Sequence, residues 1–122
     1  MQVKDFELSD ELAEILPIPR GYKVLVACPE MEETTEGGII IADTARQKES
    51  TASIFGRVIE LGEDAYGDYD KFPSGPYCKE GDWVIFRSYS GTRFKVKGQE
   101  FRLINDDSVE AIVEDPRGIE RA

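Results

Sequence analysis

A chain of 122 residues, 40% hydrophobic and 33% charged, has the composition of one globular domain: long enough for a core, too short for two ordinary domains. Fifteen basic against 25 acidic residues leave a net charge of −10, which argues against nucleic acid and anionic membrane as partners, since both repel an acidic surface. There is no histidine, and the two cysteines, Cys28 and Cys78, form no CxxC pair, so a zinc site is not expected and the thiols are expected to be free in a reducing compartment.

No apolar run reaches membrane-spanning length, and Met1 to Asp10 lacks the basic and apolar parts of a signal peptide, so a cytoplasmic location is expected. Residues 1–16 read as an acidic leader. Ser9 precedes Asp10-Glu11-Leu12-Ala13-Glu14-Ile15-Leu16, a capped short helix with Leu12, Ile15 and Leu16 on one side. Pro17 and Pro19 stop it. Two uses fit this helix, packing on the body or serving as an arm for a partner.

The body, 17–114, reads as β structure, with 115–122 as a tail. Strands are predicted at Tyr22–Ala27, Ile54–Leu61 and Trp83–Arg87, the last released by the turn Glu80-Gly81-Asp82. Thr92–Lys97 alternates strictly, with Phe94 and Val96 on one face. Gly98 turns the chain into Glu100–Ile104, and Asn105-Asp106-Asp107 leads to a last strand over Val109–Glu114. Six short strands with turns between them predict an all-β fold, a small irregular β-barrel.

Two segments stand outside that barrel. Pro29 to Ser53 has no periodic apolar face and is expected to be a mobile loop, because it buries too little to offset its ordering entropy. Glu63 to Tyr77 carries Tyr66, Tyr69 and Phe72 among Asp, Gly and Pro. Loops of this length in a compact domain are usually functional.

Catalysis finds little support. Without histidine, a nucleophile would need Lys or a carboxylate as its base. Acidic pairs such as Asp106-Asp107 and Glu32-Glu33 arise by chance at this composition, and no phosphate-cradling glycine loop is present. No catalytic residue, metal or cofactor is assigned.

Gly37-Gly38-Ile39-Ile40-Ile41 is the feature that composition does not explain. A triplet of isoleucines admits a seventh strand in the barrel wall. The diglycine before it and the polar residues after it favour docking in a partner, with the glycines shaping a turn. Each buried isoleucine yields about 1.5–3 kcal/mol, whereas ordering the loop costs about 1–2 kcal/mol per residue. One such arm binds weakly, and several on one particle bind strongly.

With this loop, Gly56-Arg57-Val58-Ile59-Glu60-Leu61-Gly62, Gly81-Asp82-Trp83-Val84-Ile85-Phe86, Tyr89-Ser90-Gly91-Thr92-Arg93-Phe94-Lys95 and Asp107-Ser108-Val109-Glu110-Ala111-Ile112-Val113 follow in order. The set resembles the GroES-type co-chaperonins over about residues 16–114. The resemblance implies a homo-heptameric dome that caps a GroEL-type, ATP-bound chaperonin and encloses a folding client. It implies chaperonin contact through Ile39, Ile40 and Ile41, turned by Gly37 and Gly38. It also implies pairing of Val109, Ala111 and Val113 with Tyr22, Val24 and Val26 of a neighbour, covering two sheet edges.

Glu63–Tyr77 falls at the family's roof hairpin, where Tyr66, Tyr69 and Phe72 would face neighbouring subunits or the client. The long leader and aromatic roof depart from the family pattern and suit a specialised member, such as a virus-encoded one. Two rivals remain. One is a fragment related to the GroES-like domain of zinc-dependent alcohol dehydrogenases, which lacks its Cys and His ligands and dinucleotide domain here. The other is a β-barrel adaptor whose Ile loop binds something else.

Overall fold

The computed structural model describes residues 2–3, 8–29, 31–32, 51–119 and 121–122. Its strands are β1 (Gln2–Val3), β2 (Lys23–Ala27), β3 (Met31–Glu32), β4 (Phe55–Leu61), β5 (Trp83–Ile85), β6 (Thr92–Val96), β7 (Gln99–Asn105) and β8 (Ala111–Val113). The helix α1 (Asp10–Ile15) and a 3₁₀ turn at Asp106–Ser108 add to the strands, and Thr51 and Ala52 are also helical. Six strands form one antiparallel sheet in the order β6-β7-β2-β4-β5-β8, and β1 pairs with β3 in a separate two-stranded sheet. All six strands expected from the sequence are present. The last one starts at Ala111, two residues later than expected, after the 3₁₀ turn at Asp106–Ser108.

The continuous apolar run Val24-Leu25-Val26-Ala27 places β2 at the centre, because a strand buried on both faces needs no alternation. Val24 and Val26 face one core with Val58, Val84, Phe86, Ile104 and Val109. Leu25 and Ala27 face the other with Phe101. A register shift against β4 between Leu25 and Val26 marks a bulge there. In the β6–β7 hairpin, Val96 pairs with Gln99 across Lys97 (φ 49°) and Gly98 (φ 81°). Two positive φ values in a two-residue loop match the twist of the flanking strands.

The leader packs on the body. The Ser9 hydroxyl accepts from the Leu12 amide at 3.1 Å and caps α1. Leu12 and Leu16 pack on the second core beside Phe94, Val96 and Leu103, while Ile15 faces solvent. An ion pair joins Glu11 to Lys97. Four-residue spacing puts Leu12 and Leu16 over one surface, so the helix is a cover for the sheet's outer face.

Candidate functional site

The Ile-bearing connection leaves the sheet after β2 and returns at the start of β4. These strands are neighbours, with Ala27 paired to Arg57, so the departing and returning ends lie side by side. The Cys28 amide donates to the Glu100 carbonyl at 3.0 Å, and the Gln99 side-chain amide donates to the Cys28 carbonyl at 2.9 Å. On return, Thr51 and Ser53 are buried. The Ile54 amide donates to the Thr51 carbonyl at 3.2 Å, and the Ile54 carbonyl accepts from Phe86 at 2.9 Å. Phe55 stacks on Trp83 with ring centroids 4.9 Å apart. Gly37, Gly38, Ile39, Ile40 and Ile41 lie outside the described residues. What the structure provides is a rigid base for the segment that carries them.

The neighbour pairing expected for Tyr22, Val24 and Val26 does not survive. β2 is bonded on one side by β4 and on the other by β7, so it has no free edge to lend. Val24 and Val26 are core residues of their own subunit, as is Val109. Only Tyr22, ahead of the strand, is exposed. β8 differs: it pairs with β5 on one side and ends the sheet, so Ala111 and Val113 do sit on an edge strand. Ile112 between them is 49% exposed, and Ile18 in the proline-flanked stretch before β2 is 67% exposed. Neither isoleucine stood out in the sequence, because exposure at an edge depends on which strand lies beyond it.

The aromatic segment is also corrected. Glu63–Tyr77, expected as a roof hairpin or loop, contains no strand and is a run of turns. Tyr66 and Phe72 are 3% and 2% exposed and belong to the first core. Their rings meet edge-on at 4.9 Å, and Tyr77 closes the trio at 5.0 Å from Phe72. The Tyr66 amide donates to the Asp106 carboxylate (3.0 Å), and its hydroxyl donates to the Asp106 carbonyl (2.8 Å). Burial and a contact with Cys78 push the Tyr66 hydroxyl pKa well up, so it remains a donor. Tyr69 alone of the three is free for a partner, 80% exposed. The sequence offered no period to separate inward from outward rings in a segment without regular structure.

Arg102 and Cys28 are buried without catalytic company. Arg102 lies on the first-core side of β7, its guanidinium 4.9 Å from the Phe86 ring centroid. One nitrogen donates to the Ser88 carbonyl at 3.2 Å, whereas Nε and Nη2 have no partner. Cys28 is buried beside it. Desolvation, with Glu100 adding, pushes its thiol up to about 12, so it is not a thiolate nucleophile near neutrality. Both cysteines are free thiols. Among the described residues, no group of three or more Cys, Asp or Glu side chains is placed to hold a metal ion, and no helix is long and apolar enough to cross a membrane.

The family model described as the chaperonin 10 kDa subunit matches residues 17–113, the whole of the main sheet. This chain belongs to that co-chaperonin family. It is similar to the co-chaperonin GroES of Kosmotoga olearia, 39% identical over 98 residues that span 80% of this chain and 97% of the relative. The co-chaperonin GroES of Caldicellulosiruptor saccharolyticus is 38% identical over 97 residues, 80% of this chain and 96% of the relative. That of Staphylococcus haemolyticus is 32% identical over 101 residues, 80% and 97% respectively. In this co-chaperonin the leader residues 1–16 and the tail residues 114–122 lie outside the family match.

Proposed function

We infer that this co-chaperonin caps a GroEL-type chaperonin and assists protein folding, without chemistry of its own. The observation that carries the inference is the family match across the whole sheet, 17–113. The cap is a homo-heptamer that docks on the ATP-bound chaperonin ring in the cytoplasm and closes a chamber around a folding client. Ile39, Ile40 and Ile41 are the chaperonin contact, with Gly37 and Gly38 shaping the turn before them. The side-by-side ends of β2 and β4 hold both ends of that arm on one rigid sheet. One arm gains about 1.5–3 kcal/mol per isoleucine against about 1–2 kcal/mol per residue ordered. Repetition around the ring makes the capped state strong while each arm stays reversible.

Subunit contacts in this reading use what one subunit leaves uncovered. These are the open edge of β8, with Ala111, Ile112 and Val113, and the stretch before β2 that exposes Ile15 and Ile18. An open edge invites pairing with another chain, and a neighbour in the ring covers it. Tyr69 is the aromatic available to a neighbour or the client.

Mixing the protein with a GroEL-type ring and ATP tests the function by electron microscopy of capped particles. Capping is expected for the wild type and is abolished when Ile39, Ile40 and Ile41 are all changed to Ser, with the heptamer intact by native mass spectrometry. A triple variant that still caps, or a wild type that never does, refutes the reading.

A further inference from the structure

We propose that the two stretches outside the family match clamp the two roots of the Ile-bearing arm, with Arg121 as the positioning residue at the returning root and β1 as the strand at the departing root. This rests on the docking function proposed above and adds a device that sets its strength. The observations are independent of one another and come from opposite ends of the chain.

At the returning root, the Arg121 amide donates to the Thr51 hydroxyl at 3.1 Å, and its Nη1 donates to the Ser53 hydroxyl at 3.1 Å. Both acceptors are buried. Here backbone and side chain are both engaged, and the tail is bent to make that possible. After β8, the Asp115 carboxylate accepts from the Arg117 amide (3.1 Å) and pairs with its guanidinium (2.9 Å), and Gly118 takes φ +86°. These features form a turn in the tail, whose Arg121 then reaches Thr51.

At the departing root, β1 pairs antiparallel with β3, Gln2 opposite Glu32 and Val3 opposite Met31. A two-residue ladder has little stability alone. It is held at high local concentration because α1 is fastened to the body by Leu12, Leu16 and the Glu11–Lys97 ion pair. The leader and the tail thus reach the same arm from its two sides. What remains between the clamps is 33–50.

The consequence follows from ordering entropy. An arm whose roots are already fixed has fewer residues to immobilise when it docks, so preorganisation tightens each contact. Summed over a ring, a small gain per arm becomes a large gain in capping.

The test uses the full-length protein with Arg121→Ala, Arg121→Lys and Val3→Pro, the last removing an amide donor from β1. Hydrogen exchange is read at Ile54 and Arg121 for the returning root and at Met31 and Glu32 for the departing root. Arg121→Ala is expected to speed exchange at Ile54 by about threefold to tenfold, the value of one hydrogen bond. It is expected to raise the apparent Kd for a GroEL-type ring with ATP at least tenfold, with heptamer mass unchanged. Arg121→Lys, which keeps the charge but loses the planar fork, falls between. Val3→Pro is expected to speed exchange at residues 31–32 and weaken capping in the same direction.

Unchanged exchange at Ile54 in Arg121→Ala, or faster exchange with unchanged Kd, overturns the clamp. The Ile39, Ile40, Ile41 triple Ser variant separates the two ideas. If it still caps, the docking reading fails, and exchange at the roots alone then decides whether the clamp exists.

Discussion

Phe72 tests where the aromatic segment belongs. Its ring is 2% exposed, edge-on to Tyr66 at 4.9 Å and to Tyr77 at 5.0 Å, and in the same core as Val24, Val84 and Ile104. Truncation to Ala removes the ring's transfer free energy and leaves a cavity that three neighbouring turns cannot fill, a loss of about 3–5 kcal/mol. With a urea slope of about 1–3 kcal/mol per M for a domain of this size, the midpoint drops by about 1–5 M. Tyr69, three residues earlier and 80% exposed, supplies the contrast. Tyr69→Ser is expected to change stability by less than about 0.5 kcal/mol, as surface substitutions do. Equilibrium urea unfolding at one fixed protomer concentration is the assay, since assembly contributes to apparent stability. A Phe72→Ala midpoint within about 0.5 M of wild type would show that the ring is not in the core. A Tyr69→Ser loss of equal size would refute the division between the two positions.

Other expectations concern the buried charge, the thiol and the open edge. Arg102→Met is expected to be neutral or stabilising by about 1 kcal/mol, because two unpartnered buried donors cost more than the Nη1 hydrogen bonds to the Ser88 and Ser90 carbonyls and a ring contact return; a loss above about 2 kcal/mol in thermal unfolding would contradict this. Cys28 is expected to resist iodoacetamide at pH 8 in the folded protein and to react on unfolding; labelling of the native protein at a free thiol's rate would contradict its burial. Folding raises that thiol from 9.0 to about 12, so its contribution to stability is fully present below pH 9 and is lost as pH rises from there through about 12. Urea midpoints taken across that window check the sign, and a rising midpoint would reverse it. Ile112→Asp, on the exposed face of edge strand β8, is expected to dissociate the ring into folded subunits; native mass spectrometry showing an intact heptamer would move the interface elsewhere.

The strand set was legible because local patterns carry it. Thr92–Val96 alternates, Val24–Ala27 is continuously apolar, and Lys97-Gly98 is a turn dipeptide, and each rule acts within a few residues. The capping of α1 by Ser9 was legible for the same reason. What the local patterns missed was the strand on the far side of β2 and the direction of each ring in the aromatic segment. Tyr22, Val24 and Val26 were expected to lie at a free edge, yet β7, distant in sequence, returns to cover that side of β2. Tyr66, Tyr69 and Phe72 look alike in a loop, but only the fold decides that Asp106 receives Tyr66 while Tyr69 is left outside.

By itself the sequence determined the β character and the order of the strands along the chain, because these rest on residue spacing. Only the tertiary structure decided that β2 is internal, that β8 ends the sheet opposite β6, and that two of three aromatic residues are core. It alone brought Arg121 to Thr51 and Ser53, and Gln2–Val3 to Met31–Glu32. Contacts between distant parts of a chain leave no period to read. Their energy comes from area and hydrogen bonds that exist only once the sheet has closed around its cores.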